Sequence, residues 1–457
     1  MPSTAHSHAQ FGSQSRPEQA DTIIFPRWII PVVPTGEVLE NYALVVTGER
    51  ISAILPAADA LGITASETIN LPDHALLPGL INCHGHAAMS LLRGYADDLP
   101  LKPWLEDHIW PIEGAHMSEE FVRDGINLAI AEMLRSGTTC FSDMYFFANV
   151  AAESCLQAGI RCQIAFPIFD FATVWGNDPD DYISKGLALR DDYKHSDLLN
   201  IVFGPHAAYT VSPDAHGKIA TYANELDLPI HIHLHETTAE LDEARASGQP
   251  RHIQTLNELG LLGPKTQCVH MTDLTEDEIE LLVQTGAHVI HCPESNMKLA
   301  SGICPVDKLR KAGVNVAIGT DGAASNNDLD MFGEMRTAAL VSKVHTGNAG
   351  SLTAREVLSM ATIDGAKAMG RQADLGSLEP GKLADCIAVD LSGPECQPLY
   401  NPISQLVYSA ASSNVTHSWI AGKSVMSDRQ LKTLNLEQIL SRAQYWQQRI
   451  SSGADGE

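Results

Sequence analysis

Between residues 75 and about 370, eight short apolar runs each give way to a longer amphipathic stretch: "ALLPGLIN", "TTCFSD", "RCQIAFP", "NIVFGPH", "LPIHIHLHE", "CVHM", "HVIHCP" and "VNVAIGTD". Apolar runs of this length read as strands buried on both faces, and their alternation with helix-length segments predicts a parallel sheet with helical crossovers. Eight such units over about 300 residues fit a (β/α)8 barrel, with a doubly wound sheet as the alternative. The first full helix is expected over 119–136. Glu119 and Glu120 occupy its opening turn after Ser118, Phe121, Leu128, Ile130, Met133 and Leu134 supply its apolar face, and Gly137 stops it.

The flanks have a different texture. Residues 21–74 contain alternating strand-like segments broken by turns, such as "YALVVTGERISAILP", and 375–457 open on "LGSLEPGKLADCIAVDLSG" before an amphipathic helix at roughly 434–450. The two flanks are expected to pair as a small β-sandwich domain, leaving 75–374 as the barrel. Residues 1–20, "MPSTAHSHAQFGSQSRPEQA", have neither a basic nor an apolar region of a leader and read as a disordered tail. Its His6 and His8 form an HxH pair with no apolar strand before it to hold the rings.

Composition narrows the partners. Thirty Lys and Arg against 56 Asp and Glu leave a net charge of −26, which repels nucleic acid and anionic membranes and disfavours a polyanionic substrate. No apolar stretch reaches the length that spans a bilayer. Nine cysteines without CxxC spacing, several inside apolar runs, read as free thiols of a reducing compartment, and a cytoplasmic protein is expected.

In a barrel the C-terminal ends of all strands share one face, so polar residues at those ends converge. His84 and His86 end the first run, one residue apart and therefore on one side of a strand. His206 ends the fourth, His233 lies in the fifth, His270 ends the sixth, His291 ends the seventh, and Asp321 follows the eighth. Each alone has an ordinary structural explanation; as a set at the ends of six runs they point to a metal site. His74, His108, His116, His195, His216, His252, His288 and His345 fall on loops or helix faces and are read as structural. In "HIHLHE", His231, His233 and His235 project to one side, yet successive members climb by about 6.6 Å, too far for all three to share one ion. His231 is therefore expected deeper in the barrel and His235 beyond the strand, with Glu236 turned off it toward a substrate. Imidazoles with a carboxylate suit zinc, with iron or manganese as alternatives. Such an ion makes water nucleophilic near neutral pH, and Asp321 beside it would take the proton. The fourth run has no lysine that could be carbamylated to bridge two metals, which favours one divalent ion.

"PGLINCHGHAAMSLLRGYADDLPLKPWLEDHIWPIE", "GPHAAYTVSP", "HIHLHET", "CVHM", "VIHCPESNMKLASG" and "GTDGAASNNDLDMF" together resemble the amidohydrolase superfamily, in its branch related to triazine hydrolases, and within it the 5′-methylthioadenosine/S-adenosylhomocysteine deaminases. The resemblance runs from about residue 75 to 390. It implies metal ligands at His84, His86, His233 and His270, with Asp321 near or on the ion, and a homodimer. It further implies hydrolytic deamination of an adenine nucleoside, with Glu236 protonating the ring nitrogen and the departing ammonia, His291 stabilising developing charge, Glu113 gripping the ribose hydroxyls and His206 contacting the base. A solvated loop carboxylate remains the alternative for Glu113, and a structural barrel histidine for His206. Trp104 and Trp110 are candidate walls for the purine, or ordinary packing residues. The acidic segment "IFDFATVWGNDPDDYISKGLALRDD" has only Lys185 and Arg190 to meet the amino-acid carboxylate of S-adenosylhomocysteine. This predicts a preference for 5′-methylthioadenosine, with adenosine slower and Trp175 beside the methylthio group. Alternatives are guanine, 8-oxoguanine or cytosine deamination, triazine dechlorination, and a non-catalytic scaffold. Retention of an acid at Glu236 argues for an amine leaving group, because chloride departs without a proton.

Overall fold

The computed structural model describes residues 16–454; His6 and His8 lie outside them, and Gln19 already opens a strand. Eight parallel strands follow one another in chain order around a barrel: β1 (Leu80–Asn82), β2 (Thr138–Asp143), β3 (Arg161–Ile168), β4 (Leu199–Pro205), β5 (Ile230–Leu234), β6 (Thr266–His270), β7 (His288–His291) and β8 (Val316–Ile318). Every residue of β2 and β3 is buried, because helices cover the outside and side chains fill the inside. The last strand returns to the first through Cys83 N to Ile318 O (2.9 Å) and Asp321 N to His84 O (3.0 Å). Gly319 stands at this seam: a Cβ there would lie 2.7 Å from the His84 nitrogen, so only glycine lets the two backbones approach.

The first full helix, α1 (Glu119–Arg135), starts where Ser118 Oγ accepts from Phe121 N at 3.2 Å and ends one residue short of the expected span, with Gly137 at φ +88° beyond it. Ahead of α1, residues 101–116 wind into a continuous helical segment whose middle, Trp104–Ile109, is a π-helix. It leans over the C-terminal face of the barrel.

The two flanks do pair into one β domain, as the sequence led us to expect. Strand Thr64–Pro78 runs parallel to Gln19–Ile29 and antiparallel to Cys386–Asp390, joining both ends of the chain in a nine-stranded mixed sheet. The sheet curls on itself, so Leu44 and Ile51 from one end share a buried core with Cys386 and Trp419 from the other. A buried ion pair, Arg161 Nε to Asp385 Oδ2 at 2.6 Å, fastens the start of β3 to this domain. The last helix, α2 (Leu436–Ala454), leaves it to pack on α1: Trp446 is fully buried edge-on to Phe121 and donates to Asp124 Oδ2 at 2.7 Å. All nine cysteines are buried and free, and no helix among the described residues is long and apolar enough to cross a membrane.

Candidate metal and substrate site

The residues at the strand ends meet on the C-terminal face. His233 Nε2 lies 3.2 Å from His84 Nε2 and 3.3 Å from His86 Nε2, and Asp321 Oδ1 is 3.3 Å from both of those nitrogens. The other nitrogen of each ring decides what those atoms are. His86 Nδ1 sits 2.6 Å from the Met144 carbonyl and His233 Nδ1 2.7 Å from the His206 carbonyl. A carbonyl only accepts, so both rings carry their proton on Nδ1 and turn a lone pair inward. In their neutral forms the lone pairs of His86 and His233 and the Asp321 carboxylate oxygen thus face one another, 3.3 Å from His86 Nε2 to each of the other two. A divalent cation satisfies such a set; packing does not.

His270 completes it: a ligand nitrogen of His84, His233 and His270 can be chosen within 4.8 Å of one another. Asn296 Nδ2 faces His270 Nδ1 at 2.9 Å and leaves its own Oδ1 buried without a partner. Turning this amide over joins the orphaned oxygen to an N–H on Nδ1 and frees Nε2, which again fits a metal. His270 (φ +76°) and Asp321 (φ +64°) both occupy the left-handed region, a cost that the barrel imposes to aim the two side chains inward. Ser295 Oγ donates to Asp321 Oδ2 at 2.7 Å and Gly322 N to Oδ1 at 2.8 Å.

His86, His233, His270 and Asp321 line a cavity of about 620 Å³, with His84 buried behind them. Of the other candidates, Glu236, Glu113, His206, Trp104 and Trp110 all line it. Glu236 Oε2 is 3.6 Å from His270 Nε2; burial, then repulsion from Asp321 and Glu240, raises its carboxyl well above the usual range, which favours its acid form. Glu113 is turned inward rather than solvated and accepts from Tyr145 Oη. Burial raises its carboxyl to about 7, against the lowering effects of Tyr145 and His86. His206 packs on Phe169 at 4.8 Å between ring centres, and burial depresses it to about 3, leaving a neutral ring. Trp104 is buried and donates to Ala96 O at 3.1 Å, whereas Trp110 is 42% exposed at the rim.

His291 ends β7 fully buried, with both ring nitrogens unpartnered, and does not line the cavity. Trp175 does not line it either. Its ring turns away onto Tyr182, 5.9 Å between centres, and Phe171, Ala172, Thr173 and Val174 supply that part of the wall instead. Lys185 and Arg190 also stay away, pairing with Asp181 (2.8 Å) and Asp191 (3.1 Å). Sequence reading missed Tyr145, Ser295 and Asn296, whose partners lie 26 to 32 residues away in the chain. Their only trace is position: Tyr145 stands two residues past β2, much as His206 stands one past β4, and Ser295 and Asn296 follow β7.

Residues 75–425 match the model of the amidohydrolase family. A 5-methylthioadenosine/S-adenosylhomocysteine deaminase from Teredinibacter turnerae is 52% identical over 426 residues, covering 93% of this chain and 96% of its own. The protein of the same name from Saccharophagus degradans is 52% identical over 437 residues, covering 95% and 97%. An adenosine deaminase from Xanthomonas campestris, solved with bound zinc, superposes with a TM-score of 0.94 at 46% identity and covers 96% of this chain and all of its own.

Proposed function

The chain belongs to the amidohydrolase family, and on that premise we propose that it is a hydrolytic deaminase of adenine nucleosides that prefers 5′-methylthioadenosine, releasing ammonia and the inosine analogue. The observation that carries this reading is the meeting, at one cavity, of convergent imidazole nitrogens, a buried carboxyl at Glu236 shifted toward its acid form and an inward-facing carboxyl at Glu113. We assign the lone pairs of His84, His86, His233 and His270, with Asp321, to one zinc ion. Zinc bound there supplies a Lewis acid that makes water nucleophilic at neutral pH. Asp321 takes the proton of the attacking water, and Glu236 gives its own proton to the ring nitrogen next to the carbon under attack. Glu236, now a carboxylate, takes the remaining proton of the added hydroxyl and passes it to the amine; the carbon–nitrogen bond breaks, ammonia leaves, the ring keeps the oxygen as its carbonyl, and the proton held by Asp321 restores the acid form of Glu236. His206 and Trp104 bound the purine, and Glu113 accepts from the ribose diol. His291, behind the wall, touches no substrate in this scheme.

Ammonia release tests the reading, using 5′-methylthioadenosine, S-adenosylhomocysteine, adenosine, guanine, cytosine and a chlorotriazine as substrates. Turnover of the first three with inert guanine and cytosine supports it; turnover of a free base or chlorotriazine alone overturns it.

Glu113→Gln should raise KM for ribonucleosides about 10- to 100-fold, the loss of one to two charge-assisted hydrogen bonds, with little change in kcat. It should also remove the penalty for a 2′,3′-dideoxy substrate. The charged acceptor form of Glu113 exists above its raised value of about 7 and is lost as the pH falls through it, so KM of the natural protein should climb on the acid side. A flat KM from pH 8 to 6 contradicts this role.

No lysine or arginine lines the cavity among the described residues, while Phe171 (49% exposed) and Val174 (50% exposed) form an apolar lip. A methylthio group is at home there; an amino-acid carboxylate is desolvated without a partner. We expect kcat/KM for 5′-methylthioadenosine to exceed that for S-adenosylhomocysteine by about tenfold or more, the worth of one charge-assisted hydrogen bond. Val174→Arg should narrow the gap by improving the second substrate, and equal kcat/KM values in the natural protein would sink the argument.

A further inference from the structure

Two of the inward-facing rings, His86 and His233, have their Nδ1 protons held by main-chain carbonyls that no substitution removes. His84 has no such carbonyl. Its Nδ1 lies 2.8 Å from Nε2 of His231, and that contact alone is ambiguous, because either nitrogen could be the donor. The ambiguity is resolved two steps away. Gln267 Nε2 is 2.8 Å from the Ala368 carbonyl, an obligate acceptor, so the amide nitrogen must point there and the amide oxygen the other way. That oxygen lies 2.7 Å from His231 Nδ1 and also receives Gln163 Nε2 at 2.8 Å. His231 therefore carries its proton on Nδ1, its Nε2 accepts, and His84 must donate from Nδ1. Only then does His84 Nε2 present a lone pair to Asp321 and His233 rather than a proton.

We propose that His231 and Gln267 are positioning residues for the metal, a buried relay from the Ala368 carbonyl that fixes which nitrogen of His84 is free to bind it. His231 and Gln267 are directly paired across β5 and β6, and both, like His84, have no exposed surface. The rings of His84 and His231 lie 23° from parallel, 5.1 Å apart. Neither residue reaches the cavity, so neither touches substrate. Nor can His231 join the ligands, since both its nitrogens are engaged, which is why the middle of three alternating histidines on one strand face binds and the first does not. The proposal rests on the metal reading of the site.

The test is zinc affinity, measured by competition with a chromophoric chelator on the metal-stripped full chain, alongside melting temperature. The natural protein must first compete for zinc; if it does not, the metal reading falls and this proposal with it. Gln267→Leu keeps the volume and removes the acceptor, and should weaken zinc binding about 10- to 100-fold, the usual effect of losing a partner behind a metal ligand. Raised zinc should then restore most of kcat. Gln267→Glu retains an acceptor for the His231 N–H and should bind zinc within about threefold of the natural protein, given the size of the loss it is meant to reverse. His231→Phe, which removes the acceptor for His84 directly, should behave as Gln267→Leu does if the latter fails to fold. A merely structural role would lower the melting temperature of these variants and leave the zinc affinity of the folded molecules unchanged. Affinity within twofold of the natural protein in a folded Gln267→Leu or His231→Phe overturns the proposal.

Discussion

Glu236→Gln should bind zinc and nucleoside normally and lose 10²- to 10⁴-fold in kcat, about 3–5 kcal/mol of transition-state stabilisation. Glutamine keeps the volume and can still donate a hydrogen bond to a ring nitrogen, but it cannot transfer the proton that a deamination needs on both ring and leaving group. The wild-type side chain is placed for transfer: buried at the cavity wall, 3.6 Å from His270 and raised well above the ordinary carboxyl range by burial first and by Asp321 and Glu240 next. The sign for pH follows. The acid form is present below that raised value and is lost above it, so kcat should decline on the alkaline side and the variant should lack that decline. Steady-state kinetics with metal content measured on the same samples decides the matter. A loss of less than tenfold at full metal occupancy removes Glu236 from the proton transfers.

Asp321→Asn is the second large effect. The substitution preserves shape, yet it removes the one negative charge facing His84 and His86 at 3.3 Å and the acceptor we assign to the water proton. The two oxygens of Asp321 already receive Gly322 N at 2.8 Å and Ser295 Oγ at 2.7 Å, so an amide turned either way sets its NH2 group against a donor. We expect weaker zinc retention and a fall in kcat of about 10³-fold or more that added zinc does not recover, because base and charge are both lost. Recovery to within tenfold by excess zinc would falsify the proton-accepting role and leave Asp321 a ligand only.

What the sequence determined about this molecule is what local pattern can carry. An apolar run closed by a histidine or aspartate reads the same in the chain as in space, because a parallel strand buried on both faces leaves only its end for polar chemistry. Hence the barrel, the helix opening at Ser118, the convergence of His84, His86, His233 and Asp321, and the depth of His231 were all legible. The alternation along "HIHLHE" placed three imidazoles on one face, and the rise of a strand was enough to say that they could not share an ion. The tertiary structure decided the rest. Ser295 meets Asp321, Asn296 meets His270 and Tyr145 meets Glu113 across 26 to 32 residues, and Gln267 meets His231 across 36. Such hydrogen bonds leave no period in a sequence, since the partners are chosen by which strand ends the closed barrel sets side by side. The left-handed backbone at His270 and Asp321 is likewise imposed by closure, not by residue type. Trp175 marks the same limit from the other side. Its neighbours Thr173 and Val174 face the cavity while its own ring packs on Tyr182, because in an irregular loop no periodicity says which way a side chain points.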